Sequence, residues 1–278
     1  MRNITTEIVQ AFKAHLYLNE KSKATVEKYV LAVQRLAEFM QGYELSKARL
    51  LEYREHLQKK VKVQTVNGAL SAIHAFLDFS GWQECKVKLL KVKRQAFLDE
   101  SRELSETEYR QLLSTAQANG NERLYLIMLT LCGTGIRVSE LPYITVEAAE
   151  SGRAQIRMKG KIRTIILQKE LRKRLKRYAK ERGITNGHIF RTRSGRPLDR
   201  SNICHDMKKL CDETKIDSDK VFPHNLRHLF ARTFYAIEKN LAHLADILGH
   251  SRIETTRIYV AVSAATHERI LNRMNLVV

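Results

Sequence analysis

Apolar residues recur at helical spacing through the first hundred positions. Ile8, Phe12 and Leu16 form one stripe behind a cap at Thr5 or Thr6, because side chains three or four residues apart share a helix face. Val26, Tyr29, Val30, Val33 and Leu36 form a second stripe behind Ser22, closed by Gly42. Leu50, Leu51 and Leu57 mark a third helix, and Val66, Leu70, Ile73 and Leu77 a fourth that ends at Gly81. Four short amphipathic helices suffice for a small bundle.

Beyond residue 100 the pattern becomes mixed. Ser105 and Glu108 have the spacing of a capping box and predict the start of a new domain. Leu124, Ile127, Leu129 and Leu131 predict an apolar helix stopped by Gly133 and Gly135, and Arg137-Val-Ser-Glu140 opens another. Two β-prone runs, 153–158 and 161–167, flank Lys159-Gly160 and predict a hairpin. Helices follow around 169–182, 199–213, 224–237, 240–248 and 253–260. The expected fold is mainly α with a small antiparallel β-sheet. Its expected domains are a helical unit over 1–85, a basic linker over 86–103, and a second domain over 104–278 whose tail is 262–278.

Two segments keep two readings each. Lys86, Lys88, Lys91, Lys93 and Arg94 lie in a run without an acid; this is read as an interdomain linker, and it fits equally a solvated charged strand or helix edge. In the tail, His267, Ile270, Leu271, Met274, Val277 and Val278 share a helical face that predicts docking, either on its own domain or on a second copy of the chain.

Charge brings in a partner. Across 278 residues, 49 Lys and Arg face 30 Asp and Glu, a formal +19, and such a field concentrates polyanions at the surface. The excess is spread along the chain, with 17 cations to 11 anions in residues 1–100 and 32 to 19 in the rest. A basic tail on a neutral enzyme is thereby excluded, and both domains can meet a phosphate backbone. Cys85, Cys132, Cys204 and Cys211 form no CxxC pair, which predicts reduced thiols. Cys204, His205, Asp206 and Cys211 match no common zinc spacing, so no metal site is expected. There is no signal-peptide pattern and no bilayer-length apolar run, so no membrane association is expected. The predicted location is the cytoplasm, on the nucleoid when DNA is bound.

The chemistry begins with arginines in apolar surroundings. Arg137 follows a Gly-Thr-Gly turn, and Arg227 lies three residues after His224, so those two side chains share one helical face. A guanidinium fork matches two phosphate oxygens at once. Along the chain come Gly133-Thr-Gly-Ile-Arg137-Val-Ser-Glu-Leu141, the hairpin Lys159, His224-Asn-Leu-Arg227-His228, Leu248-Gly-His250 and Thr255-Thr-Arg-Ile-Tyr259. This ordered set resembles the tyrosine recombinase (phage integrase) family, in its simple Xer-like two-domain form. The resemblance covers the second domain, and the four-helix first domain is similar to the family's SAM-like core-site-binding domain.

What the resemblance implies is one phosphoryl-transfer site. Arg137 and Arg227 clamp the scissile phosphate, Lys159 protonates the leaving 5′-oxygen, His224 takes or shares the phenol proton, and His250 holds the phosphate or orients the nucleophile. Tyr259 attacks to give a 3′-phosphotyrosyl bond. Lys161, beside Lys159, is the rival general acid, and Tyr235 the rival nucleophile; His228 is read as buttressing the fold. A phenol with a pKa near ~10 needs such neighbours to act at neutral pH. The phosphotyrosyl diester roughly conserves bond energy, so neither ATP nor a metal or other cofactor is implied. Double-stranded DNA with an inverted-repeat core site is the implied partner, with a homo-tetramer on DNA. Two other activities compete: a type IB topoisomerase, marked by relaxation by an isolated monomer without a sequence requirement, and a DNA-binding regulator that has lost catalysis.

Overall fold

The computed structural model describes residues 2–92, 100–158, 161–192, 194–257, 259 and 272–273. Lys159 and the tail apart from Asn272 and Arg273 lie outside these residues, and of Met158 and Lys161 only the backbone is described. The chain divides into two compact units, Met1–Arg94 and Gln95–Val278. Among the described residues no helix is long and apolar enough to cross a membrane.

The first unit holds α1 (Thr6–Leu18), α2 (Lys23–Met40), α3 (Lys47–Lys60) and α4 (Val63–Phe79). Thr5, Ser22 and Ser46 cap the first three by accepting a main-chain N–H in the first turn, which satisfies an otherwise orphaned donor. The predicted stripes supply the core: Phe12, Leu16, Val26, Val33, Leu36, Leu50, Val66, Leu70, Ile73 and Leu77 are all buried together. Gly42 is not the residue that ends α2, because Gln41 takes the left-handed conformation first, at φ 48°. The beginning of the basic run packs on this unit: Val87 is in its core, Asn67 donates to and accepts from the Leu90 main chain at 2.8 and 2.9 Å, and Lys86 pairs with Asp78 at 2.6 Å.

The second unit starts with α5 (Glu106–Ala118) behind the predicted capping box, with Ser105 and Glu108 bonded in both directions at 3.1 and 2.8 Å. Helix α6 (Glu122–Thr134) runs through Gly133 and stops at Gly135, which is left-handed at φ 64°. A Cβ at Gly135 would lie 2.3 Å from the Phe230 ring, so both the turn and the close packing require glycine. The segment after Arg137 is a 3-10 turn, Val138–Tyr143, rather than the expected helix. Pro142 has no N–H to give the Val138 carbonyl, so an α-helical ladder fails at its first bonds. A short helix the sequence pattern did not predict, α7 (Val146–Ser151), follows Thr145.

The hairpin forms as β1 (Arg153–Met158) and β2 (Lys161–Ile166), antiparallel, pairing Arg153 with Ile166 and Met158 with Lys161. Ala154, Ile156 and Ile165 turn into the large core of the unit. After α8 (Lys169–Glu181), the region expected as one helix divides into α9 (Arg200–Lys209) and α10 (Cys211–Thr214). Then come α11 (Pro223–Glu238), α12 (Leu241–Leu248) and α13 (Ile253–Arg257). Pro223 opens α11 at a position where a missing N–H costs nothing. Ala231, Leu244, Leu248 and Tyr259 form a separate small core, with Phe230, Phe234 and Tyr235 against it.

Candidate active site

Three elements converge on one place: the turn after α6, the first two turns of α11, and the chain from the end of α12 to Tyr259. The turn after α6 carries Arg137. Its N–H donates to Glu140 Oε2 at 2.7 Å, and its Nη1 lies 3.3 Å from Glu140 Oε1. Glu140 is buried, and it also accepts from Arg163 Nη2 on β2. Arg163 Nη1 donates to the Ile247 carbonyl at the end of α12. One buried carboxylate thus ties the hairpin, the Arg137 turn and α12 together.

Arg227 is 1% exposed. Its Nη1 donates to the Gly135 carbonyl, and its Nη2 to the Leu248 carbonyl at 2.8 Å and to His250 Nε2 at 2.9 Å. All three partners are neutral, and among the described residues Arg227 Nε is buried without a hydrogen-bond partner. Burial, with the Arg137 charge adding to it and Tyr259 opposing, lowers the Arg227 pKa to about 10, so it stays cationic at neutral pH. A guanidinium has no acceptor, so His250 Nε2 must accept and Nδ1 must carry the proton, which it gives to Thr256 Oγ1 at 2.8 Å.

Both site histidines are held neutral. Burial first, then the charges of His228, Arg227, Arg137 and Arg200, push His224 down to about 4. Burial and then Arg227, Arg137, Arg163 and His224 push His250 to about 4 as well. Neutral imidazoles beside two guanidiniums each keep one ring nitrogen with a free lone pair to accept a hydrogen bond or a proton, and they add no positive charge of their own until they take the proton.

Tyr259 is 3% exposed. The His250 ring stacks on it at 5.7 Å between centroids and 17° between planes, His228 meets it edge-on at 4.7 Å, and His224 lies at 6.4 Å. The structure therefore brings together Arg137, His224, Arg227, His250 and Tyr259 of the residues singled out from the sequence. Lys159 lies outside the described residues. Tyr235 packs in the same small core, with Lys239 Nζ 5.7 Å from its ring centroid. Glu140, Arg163, Thr256 and Glu103 were not singled out. Glu140 had a sequence signal, its three-residue spacing from Arg137; Glu103 had none, since it meets His228 from 125 positions away.

Two arginines and two neutral histidines around a buried tyrosine, on a helical domain with one hairpin, define the tyrosine recombinase class of DNA strand-exchange enzymes. Residues 102–266 match the phage integrase family and residues 8–78 its N-terminal SAM-like domain, and the chain belongs to that family. It is 29% identical to the tyrosine recombinase XerA of Pyrococcus furiosus, over 99% of this chain and 96% of that one. It is 25% identical to the TnP I resolvase of Bacillus thuringiensis, over 91% and 94%. Among solved structures, a lambda integrase dimer bound to a COC′ core site shares the fold at a TM-score of 0.73, with 15% identity over 93% of this chain and 77% of that one. The XerH recombinase bound to its difH substrate does so at 0.70, with 19% identity over 90% and 79%.

Proposed function

We propose that this recombinase cuts and rejoins double-stranded DNA at an inverted-repeat core site, as a tetramer on DNA, through a 3′-phosphotyrosyl bond to Tyr259. The observation that carries the reading is Arg227: a buried, fully charged guanidinium with neutral partners and an unpartnered Nε is costly unless a ligand brings an anion. A scissile phosphodiester is that anion. Arg137 and Arg227 take its non-bridging oxygens and oppose the charge that grows as the pentavalent transition state forms. The phenol proton of Tyr259 passes to His224, neutral at working pH, while the phenolic oxygen bonds to phosphorus. The 5′-oxygen leaves with a proton, assigned to Lys159. His250 already donates to Thr256 and accepts from Arg227, and so holds Arg227 in register. Reversal by a free 5′-hydroxyl returns the diester.

A nicked suicide substrate tests the reading. Tyr259→Phe is expected to bind the half-site and form no denaturation-resistant adduct. Arg137→Lys and Arg227→Lys are expected to lose rate by about 100-fold or more with little loss of affinity, since an ammonium cannot reproduce a two-pronged contact. Cleavage should persist in excess EDTA. A normal adduct yield from the Phe variant, or strict dependence on Mg²⁺, overturns the assignment.

A further inference from the structure

His228 is the third imidazole around Tyr259, and it is held differently from the other two. Its Nδ1 lies 3.1 Å from Glu103 Oε1. A carboxylate only accepts, so the imidazole donates from Nδ1 and its ring plane is fixed. Glu103 stands just before α5 and reaches α11 from outside the helix. Arg232 Nη2, one turn beyond His228, lies 3.5 Å from Glu103 Oε2 and donates to the Leu104 carbonyl. Asn225, on the same helix, donates to the Arg102 carbonyl at 2.8 Å. Residues 102–104 are thus fastened to α11 at three points, and the carboxylate in the middle addresses the histidine against Tyr259.

The pair is not built as an ordinary stabilising contact. Among the described residues His228 Nε2 is buried without a hydrogen bond and Glu103 Oε2 has no hydrogen bond beyond its 3.5 Å ion pair with Arg232, and a buried polar atom left without a hydrogen bond is uncommon enough to ask for a reason. An apolar pair of the same shape would pack there with no such penalty. Burial alone would raise the Glu103 pKa, but the His228 hydrogen bond and the charges of His228, Arg232 and His224 outweigh it and hold the carboxyl below its ordinary range. The carboxylate is therefore a charge at neutral pH, two contacts from the Tyr259 ring.

We infer that Glu103 and His228 are positioning residues for the attacking tyrosine: Glu103 fixes the plane of the His228 imidazole, and that ring, edge-on at 4.7 Å, fixes where the Tyr259 phenol stands. His228 acts on the side of the nucleophile: its ring meets the Tyr259 ring at 4.7 Å and the His224 ring at 4.6 Å, both edge-on, and among the described residues its hydrogen bond goes to Glu103, while the guanidiniums are held by Glu140, by main-chain carbonyls and by His250. The inference rests on the reading of Tyr259 as the nucleophile.

The experiment separates attack by Tyr259 from activation of the phosphate. Glu103→Ala, Glu103→Gln and His228→Phe are made in the full chain, and adduct formation is measured on the nicked suicide substrate with half-site affinity alongside. The same three substitutions are made in a Tyr259→Phe background, where hydrogen peroxide serves as the external nucleophile. A nucleophile displaced by about 1 Å loses on the order of 100-fold in rate. The expected result is such a loss in tyrosine attack for Glu103→Ala and His228→Phe, partial rescue by Glu103→Gln, which keeps the acceptor, unchanged half-site affinity and unchanged peroxide cleavage. An equal loss in the peroxide reaction overturns the inference and assigns the pair to the phosphate pocket or the fold. Unchanged tyrosine attack overturns it too. Should the wild-type chain form no adduct at Tyr259, the nucleophile reading itself falls, an outcome recognisable before any variant is assayed.

Discussion

At the residue scale, His224 and His250 decide how the free protein responds to acid. Burial and neighbouring cations hold both at about 4, against an ordinary value of 6.5. Above 6.5 neither the folded nor the unfolded chain carries these protons, and the fold has its full stability. Between 6.5 and 4 the unfolded chain binds protons that the native site refuses, so stability falls as the pH falls through that window. Glu103 adds its own loss only below the ordinary carboxylate value of 4.5, where the unfolded chain begins to protonate. The expected observation is a melting temperature that declines from pH 6.5 to 4, with a shallower decline in the His224→Gln, His250→Gln double variant. Equal slopes in the two proteins would show that these imidazoles are not what the acid titrates.

At the scale of elements, the buried Glu140 joins the turn after α6, the hairpin and, through Arg163, the end of α12. Breaking a buried ion pair from one side leaves the other charge uncompensated. Glu140→Ala is expected to destabilise the second unit by about 3 kcal/mol in urea denaturation, and Arg163→Met in the same background to recover part of it. No recovery would show that the stranded guanidinium is not the source of the loss. The same elements show what the sequence could reveal. The helical stripes around Phe12, Val33 and Ile73, the Ser105 capping box and the strands on either side of Lys159-Gly160 were legible because local period and capping chemistry fix them. The turn after Arg137 was misread as a helix because Pro142 acts five residues into a pattern that otherwise propagates. The residues that the fold gathers at the candidate site, Arg137, His224, Arg227, His250 and Tyr259, were legible as ordered motifs. Those that hold them, Glu103 on His228 and Arg163 on Glu140, were not, because such pairs arise only when distant segments pack and leave no period in the chain.

At the scale of the whole molecule, the two units have cores of different make and the second has more than one. Its large core spans α5 to the start of α11, whereas Tyr259 belongs to a small cluster with Ala231, Leu244 and Leu248. Free energies of opening follow buried apolar area and differ between parts of one domain. Amide hydrogen exchange is therefore expected to run faster through Leu241–Leu248 than through Leu124–Leu131, by an opening that leaves α6 protected. Uniform exchange across both helices would mean that the domain opens only as one body. With separate opening, the tyrosine can be withdrawn by a local melting while the arginine pocket stays standing. On the proposed reading of Tyr259, a protein that can cut DNA would then rest unarmed, and a phosphate held in the pocket beside that cluster would supply the order that arms it.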